Sequence, residues 1–290
     1  MIRSLFLAGP PNPPQLPHQR PNARMQCSMA PAPTTGSSSA LLRIGIPWRT
    51  MQEQQQEERK KLNYYCEAIQ AAGAVPVDVR LDQPSAQLQS QLSELDGFVL
   101  PGSPADVNPA RYGSNKHPKT NDLDANRDQT DWTILHHAFK TGKPVLAICF
   151  GCQLLNVYQN GTLIQDIRAE KTQSIPHGDT DLPPGVARGD LEHWVEFSPD
   201  SLLARLNEAN SGSINSSHHQ AIDKPGDGLQ VTARASDGII EGVEWTDSSN
   251  WIVGVQWHPE RMPSDPLSQR LFREFVAAVR IARAAVAHKT

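Results

Sequence analysis

Val145-Leu146-Ala147-Ile148-Cys149-Phe150-Gly151-Cys152-Gln153 is the stretch on which the fold turns. A fully apolar strand, Pro144–Ile148, ends at a residue able to act as a nucleophile, and a helix follows through Gln159. Strand, nucleophile, helix is the layout of a nucleophile elbow. On such a turn the side chain stands at the rim of a sheet. The helix N-terminus supplies positive potential that favours a thiolate. The free N–H groups of its first turn point where an oxyanion would form. Gly151 suits the close packing that an elbow requires.

Outward from this stretch the pattern alternates. Leu41–Ile46 reads as a strand, Glu57–Ala72 as a helix stopped at Gly73, and Val75–Leu81 as a strand. Ser85–Leu95 reads as a helix, Gly97–Leu100 as a strand ending at Pro101-Gly102, and Asn126–Lys140 as a helix stopped near Gly142. Strands alternating with helices imply crossover connections and a parallel sheet. Past residue 190, Glu192–Phe197, Gln230–Ala235, Ile239–Trp245 and Trp251–Trp257 are strands joined by short turns, an antiparallel addition. Leu267, Leu271, Phe275 and Val279 recur every four residues and mark an amphipathic C-terminal helix. The Gln- and Glu-rich run Gln52–Glu58 reads as a solvated loop entering a helix. The expected fold is three-layer α/β/α, with the ligand site outside the carboxyl ends of the parallel strands.

Taken alone, the elbow segment leaves three readings open. Cys149 is a nucleophile, or Cys149 and Cys152 form a redox C-x-x-C pair after a strand, or the cysteines are packed in a core. Zinc would need two more ligands, and no second C-x-x-C or paired His motif lies nearby in sequence. A second segment shifts the balance. Val253-Gly254-Val255-Gln256-Trp257-His258-Pro259-Glu260 is a strand stopped at Pro259. Residues two apart on an extended chain share a face, so Glu260 can reach the imidazole of His258. A carboxylate on one ring nitrogen fixes the tautomer and leaves the other free to take a thiol proton. A third segment, Asp96-Gly97-Phe98-Val99-Leu100-Pro101-Gly102-Ser103-Pro104, runs a strand into a Pro-Gly turn whose N–H groups could supply a second oxyanion donor.

Composition sets the outer bounds. The chain has 290 residues, 38% of them hydrophobic, with no apolar run near the ~18 residues of a membrane span. A net charge of -4 gives no electrostatic case for nucleic acid or an anionic membrane. Four cysteines are too few for a disulfide scaffold, so a reducing compartment, most simply cytoplasm, is expected. Residues 1–40 stand apart. They hold eight prolines, the run Thr34-Thr35-Gly36-Ser37-Ser38-Ser39, three arginines and no acid, and read as a disordered tail. Their apolar patch Ser4-Leu5-Phe6-Leu7-Ala8 is shorter than the ~7–15 residues of a signal core.

Together these segments resemble the class I glutamine amidotransferase superfamily, and more narrowly its γ-glutamyl-γ-aminobutyrate hydrolase (peptidase C26) family. The resemblance covers about residues 41–280. It is carried by Ala147–Gln153 and Gly254–Glu260, and supported by Leu100–Pro104, Arg127-Asp128, Asn215–Gln220 and Asp237–Glu241. It implies a flavodoxin-like, mostly parallel sheet. It implies a Cys149–His258–Glu260 triad and an oxyanion hole from the N–H of Phe150 and of Gly102 or Ser103. It implies that Gln153 and the Asn215, Ser217 and His218 segment hold the glutamyl part of a small γ-glutamyl substrate. It calls for no cofactor. Three positions depart from the family pattern: Phe150 where many members have Arg, Ser103 for the second Gly of Pro-Gly-Gly, and Asn160-Gly161-Thr162 for Gly-Gly-Thr. Phe150 borders the nucleophile and bears on substrate choice.

The implied function is a hydrolase that cleaves a γ-glutamyl amide through a glutamyl thioester, with a place in polyamine catabolism. Two alternatives stand beside it: a glutaminase subunit feeding ammonia to a separate synthase, and a Cys149/Cys152 thiol redox protein. No metal is expected, because adjacent residues such as His218 and His219 on a strand point to opposite faces and chelate poorly. Nucleic acid and membrane are not expected partners. The leaving amine and the oligomeric state, a homo-oligomer included, are left open.

Overall fold

The alternation expected from the sequence is present in the computed structural model, which describes residues 41–182, 186 and 189–287. The segment 1–40, read above as a disordered tail, lies outside the described residues. In chain order the first half comprises β1 (Arg43–Pro47), α1 (Met51–Gln56), α2 (Lys60–Ala71), β2 (Val75–Val79), α3 (Ser85–Ser93), β3 (Gly97–Leu100), α4 (Ala125–Thr141), β4 (Val145–Ile148) and α5 (Phe150–Tyr158). The second half comprises β5 (Thr162–Ile164), α6 (Ile167–Glu170), β6 (Leu191–Phe197), α7 (Leu202–Asn207), β7 (Ser211–Ser216), β8 (Ala221–Lys224), β9 (Leu229–Ala235), β10 (Ile240–Trp245), β11 (Ile252–Val255) and α8 (Pro266–Ala287).

One sheet runs in the order β2-β1-β3-β4-β11-β10-β9-β6-β7, with β8 paired to β10 and β5 to β8. The strands β2, β1, β3, β4 and β11 are parallel, and from β10 outward every pairing is antiparallel. Strands β3, β4 and β11 are buried along their whole length, as the centre of a doubly covered sheet must be. One face packs Leu62, Ile69, Leu271, Phe275 and Val279 from α2 and α8, and the other packs Ile134, Leu135, Leu154 and Leu155 from α4 and α5. This is the three-layer α/β arrangement, and the four apolar positions at fourfold spacing in α8 are all buried.

The run Gln52–Glu58 differs from its reading as a loop. Met51–Gln56 is a helical turn and a half because Thr50 caps it, its hydroxyl accepting the Glu53 N–H at 3.0 Å. The amide of Gln54 is buried and accepts the Leu81 N–H at 2.7 Å. Glu57 then turns into the left-handed region at φ 53°, which breaks the helix before α2 begins. Strands β5, β7 and β8 were not legible, since β5 and β8 span only three and four residues and β7 is mostly Ser, Gly and Asn.

What positions the site is the register of β4 against β11. Val145–Ile148 lie opposite Ile252–Val255, so the two strands end level with each other. The next residue of β4 is Cys149, whose N–H donates to Val255 O at 2.8 Å. The chain leaving β11 reaches His258 three residues later. The sheet thus brings two residues distant in sequence to one rim.

Candidate active site

Cys149 occupies the turn between β4 and α5 with φ 52° and ψ −107°. A positive φ on a non-glycine residue costs energy and persists only where its surroundings hold it. Here the Val255 carbonyl holds its N–H, and its own carbonyl accepts the Gln153 N–H at 3.0 Å. Gly151 explains how α5 can approach so closely. A Cβ there would lie 2.4 Å from Leu100 O and 2.7 Å from Leu100 Cβ. The Phe150 N–H belongs to the first turn of α5, where no intrahelical acceptor exists.

The Pro101-Gly102-Ser103 turn faces the cysteine across the rim. A Cβ on Gly102 would meet His258 Cε1 at 2.7 Å, Tyr65 Oη at 3.1 Å and Cys149 Cβ at 3.4 Å, so this glycine is the floor between nucleophile and base. Two buried arginines hold the turn. Arg49 Nε donates to Gly102 O at 3.0 Å, and Arg127 reaches Pro101 O and Arg49 O from a guanidinium also paired with Asp131 at 2.8 Å. The Ser103 hydroxyl donates to Arg49 O at 2.9 Å. The Gly102 N–H is already given to the Tyr65 hydroxyl at 3.0 Å. Of the two oxyanion candidates on this turn, Gly102 is therefore engaged, and Ser103 has no hydrogen-bond partner for its N–H among the described residues.

His258 is buried and held on three sides. Its Nδ1 lies 2.8 Å from Glu260 Oε1, as the two-residue spacing predicts. Its backbone N–H donates to Asn215 Oδ1 at 2.9 Å, and its carbonyl accepts from Asn215 Nδ2 at 3.0 Å. Burial disfavours the charged ring, but the Glu260 carboxylate and the Cys149 sulfur outweigh it and carry its pKa up to about 9. Burial likewise opposes the Glu260 charge, yet His258, then Arg261 and the Tyr65 hydroxyl, hold this carboxyl below its usual range.

The remaining expected residues divide. Asn215 spends its amide on the His258 backbone and Asp190, so its place is behind the base rather than against a glutamyl group. Gln153 is buried, its Nε2 donating to Gln220 O at 3.0 Å and to Gln256 Oε1 at 3.2 Å. Ser217 and His218 line a cavity of about 500 Å³ with Lys119, Asp166, Arg168 and Asp181. Phe150 turns inward, buried in the α4/α5 core with the Arg127 guanidinium 4.9 Å from its ring. Its side chain thus packs rather than faces a substrate. Asn160 adopts φ 66°, a conformation asparagine tolerates, which accounts for its standing where glycine is usual. Cys152 is fully buried in the α5-side core against Gly254, and burial pushes its thiol well up, whereas Cys149 belongs to the opposite core.

Two side chains of this corner were missed from the sequence, Tyr65 and Arg49. Both lie on the first third of the chain, and only the fold brings them to the rim. A third omission concerns metal. His218 and His219 do point apart, His219 toward Asp106 and Asp166 and His218 toward Glu241. The partners of His218 are not its neighbour but His177, His193 and Glu241, and these four side chains converge. From the sequence only His218 was weighed against His219, and this group was not considered.

Fold and corner together are those of an α/β protein with a cysteine and a carboxylate-bonded imidazole at one sheet rim. Comparison with known proteins narrows this. The family described as peptidase C26 matches residues 44–260. The chain is 35% identical over 218 residues to the gamma-glutamyl-gamma-aminobutyrate hydrolase of Escherichia coli, covering 74% of this chain and 84% of that one. It is 34% identical over 213 residues to the protein NtpR of Enterococcus hirae, covering 73% and 86%. In fold it is similar to the glutaminase domain of the Trypanosoma brucei CTPS, with a TM-score of 0.54 at 17% identity over 82% of this chain and 94% of that domain. The chain belongs to the peptidase C26 family. No helix among the described residues is long and apolar enough to cross a membrane.

Proposed function

We propose that this protein hydrolyses the amide bond of a small γ-glutamyl compound, with Cys149 as nucleophile, His258 as its base and Glu260 as the group that orients the base. The observation that carries the reading is the meeting, over Gly102, of a strained cysteine at a helix N-terminus with a buried imidazole bonded to a carboxylate. The Cys149 thiolate adds to the γ-carbonyl carbon, forming a C–S bond and a tetrahedral oxyanion. The N–H groups of Phe150 and Ser103 are the donors assigned to that oxygen. Collapse breaks the C–N bond while the His258 imidazolium gives its proton to the leaving amine. Water, deprotonated by the same ring, then cleaves the thioester and releases glutamate.

The cavity beside Ser217 and His218 carries both signs of charge, Lys119 and Arg168 against Asp166, Asp179 and Asp181. Neither Cys149 nor His258 lines it, so Ser217 and His218 as contacts of a glutamyl head rest on the family resemblance. The named activity of the Escherichia coli relative makes γ-glutamyl-γ-aminobutyrate and similar γ-glutamyl amino acids the first substrate class to try. A thiol redox role for Cys149 and Cys152 has less support, because the two side chains belong to cores on opposite faces of the sheet.

The test is glutamate release from a panel of γ-glutamyl amides, glutamine included, by the wild type and by Cys149→Ala. Release by the wild type and none by the variant is expected. Silence on every member of the panel would refute stand-alone hydrolysis.

A further inference from the structure

Beneath the antiparallel half of the sheet three histidines and one glutamate face a common point. His177 comes from the loop before β6, His193 from β6, His218 from the link between β7 and β8, and Glu241 from β10. We propose that this group binds one divalent transition-metal ion of the zinc class, as a closed site that braces the corner holding His258.

Distance supports it first. His177 Nδ1, His193 Nε2 and His218 Nε2 lie 3.3, 3.4 and 3.5 Å from one oxygen of Glu241. All four ligand atoms fall within 4.8 Å of one another. Zinc bonds of about 2.0–2.2 Å at tetrahedral angles separate ligand atoms by about 3.4 Å. The three contacts to Glu241 already have that length, and the widest pair, at most 4.8 Å apart, would draw in by up to about 1.4 Å.

Hydrogen bonding supports it second. His177 gives its other nitrogen, Nε2, to Asp237 at 2.9 Å, and His218 gives Nδ1 to Gln220 O at 2.9 Å. His193 Nδ1 lies 3.4 Å from Trp194 O. A ring nitrogen tied to a carboxylate or carbonyl in this way turns the opposite lone pair toward a metal. The inward atoms are His177 Nδ1, His193 Nε2, His218 Nε2 and both oxygens of Glu241, and every one is buried without a hydrogen bond. His177 and Glu241 are 0% exposed, His218 6% and His193 8%. A buried carboxylate ringed by nitrogen lone pairs is costly unless a cation sits among them. Three imidazoles and one carboxylate are a borderline donor set, which suits zinc better than calcium or magnesium. Four protein ligands and burial leave no open position, so the ion would be structural.

The cluster is wired to the candidate active site. Gln220 O accepts from both His218 and Gln153, and His177 O accepts from Ser216 Oγ at 2.7 Å, next to the Asn215 that clamps His258.

The experiment uses the full chain purified without a polyhistidine tag. Its metal content is measured, then chelator-stripped protein is titrated with Co(II) under visible absorption and with Zn(II) under thermal unfolding. About one ion per chain is expected, either as isolated or on titration. With it should come the intense visible bands of tetrahedral cobalt and a rise in Tm with zinc. Glu241→Gln and His193→Ala should lose both signals, and Cys149→Ala should keep both, which separates this proposal from the hydrolase reading. No cobalt spectrum and no zinc response in wild type would overturn it, whatever the variants do. Undiminished binding by folded Glu241→Gln and His193→Ala would also overturn it.

Discussion

The nucleophile and the base are held in place by different means. Cys149 is fixed from below, by two fully apolar strands, the Val255 carbonyl and the close approach of α5 that Gly151 permits. His258 is fixed from the side, by polar groups: the Asn215 amide on its backbone and the Glu260 carboxylate on its ring, with Tyr65 beside it. Packing sets the first geometry and electrostatics the second. Damage to the cysteine side should therefore show mainly in stability, and damage to the histidine side mainly in rate and pH dependence.

The largest effect should come from the base side. Glu260→Gln keeps the shape of the residue but removes the charge that carries the His258 pKa to about 9. Loss of the corresponding carboxylate in a hydrolytic triad costs up to ~10⁴-fold in rate, and kcat should fall here by about 10³–10⁴. The pH profile should move as well. A histidine whose folded pKa lies above its ordinary 6.5 adds stability that is complete below about 6.5 and lost as pH rises through about 9. The imidazolium needed to protonate the leaving amine disappears over the same range, so the wild-type rate should decline there. In Glu260→Gln that alkaline limb should begin at lower pH, read from kcat/KM against pH. An unmoved limb would mean that Glu260 does not set the charge of the ring.

The turn under the nucleophile gives the next effect. Arg127 and Asp131 have side chains with 0% exposure, and burial lifts the Asp131 carboxyl to about 6 even with Arg127 beside it. Arg127→Met leaves that carboxyl without its partner and releases the carbonyls of Arg49 and Pro101. Breaking a buried pair from one side costs about 3–5 kcal/mol, measurable by urea unfolding at pH 7. Without Arg127 the carboxyl pKa rises further, so the deficit should shrink as pH falls toward about 6, since the neutral acid tolerates burial. Gly151→Ala should follow at about 1–3 kcal/mol, the usual penalty for overpacking, because its new methyl would press on Leu100 O. A Gly151→Ala protein with wild-type stability would show that α5 can shift without strain and would weaken the contrast between the two sides.

The same contrast governs what the sequence could tell. The parallel half was legible because buried strands are runs of apolar residues and elbows have a local order, as in Val145–Gln153. The pairing of His258 with Glu260 was legible because two residues on one extended chain share a face. Groups assembled from separate elements were not. Tyr65 sits on α2 amid residues of helical spacing, and nothing local marks its hydroxyl as a partner of Gly102. Asn215 looked like a substrate contact because it belongs to a recognisable motif, but its amide is turned to the His258 backbone. His177 and His193 are separated from His218 and Glu241 by whole elements, so the sequence offered only the adjacent pair His218 and His219 for the metal question. β5 and β8 carry too few residues for a period to show, and β7 is mostly Ser, Gly and Asn.

The smallest predicted effect probes the seam between the two sides. The Tyr65 hydroxyl accepts the Gly102 N–H at 3.0 Å, lies 3.5 Å from His258 Nδ1 and helps keep Glu260 charged. Burial raises its own pKa, so it stays a neutral phenol at any working pH. Tyr65→Phe keeps the ring and removes one oxygen, leaving a buried N–H unpaired at a cost of about 1–3 kcal/mol. With Ser103 as the oxyanion donor, kcat should fall by about tenfold or less, since the hydroxyl acts only by holding Glu260 and the turn. The alkaline limb should move slightly down, in the direction of Glu260→Gln. If Gly102 is instead the donor, freeing its N–H from the phenol should raise kcat while stability still falls. Steady-state rates and thermal unfolding of this one variant therefore decide which residue of the Pro101-Gly102-Ser103 turn meets the oxyanion.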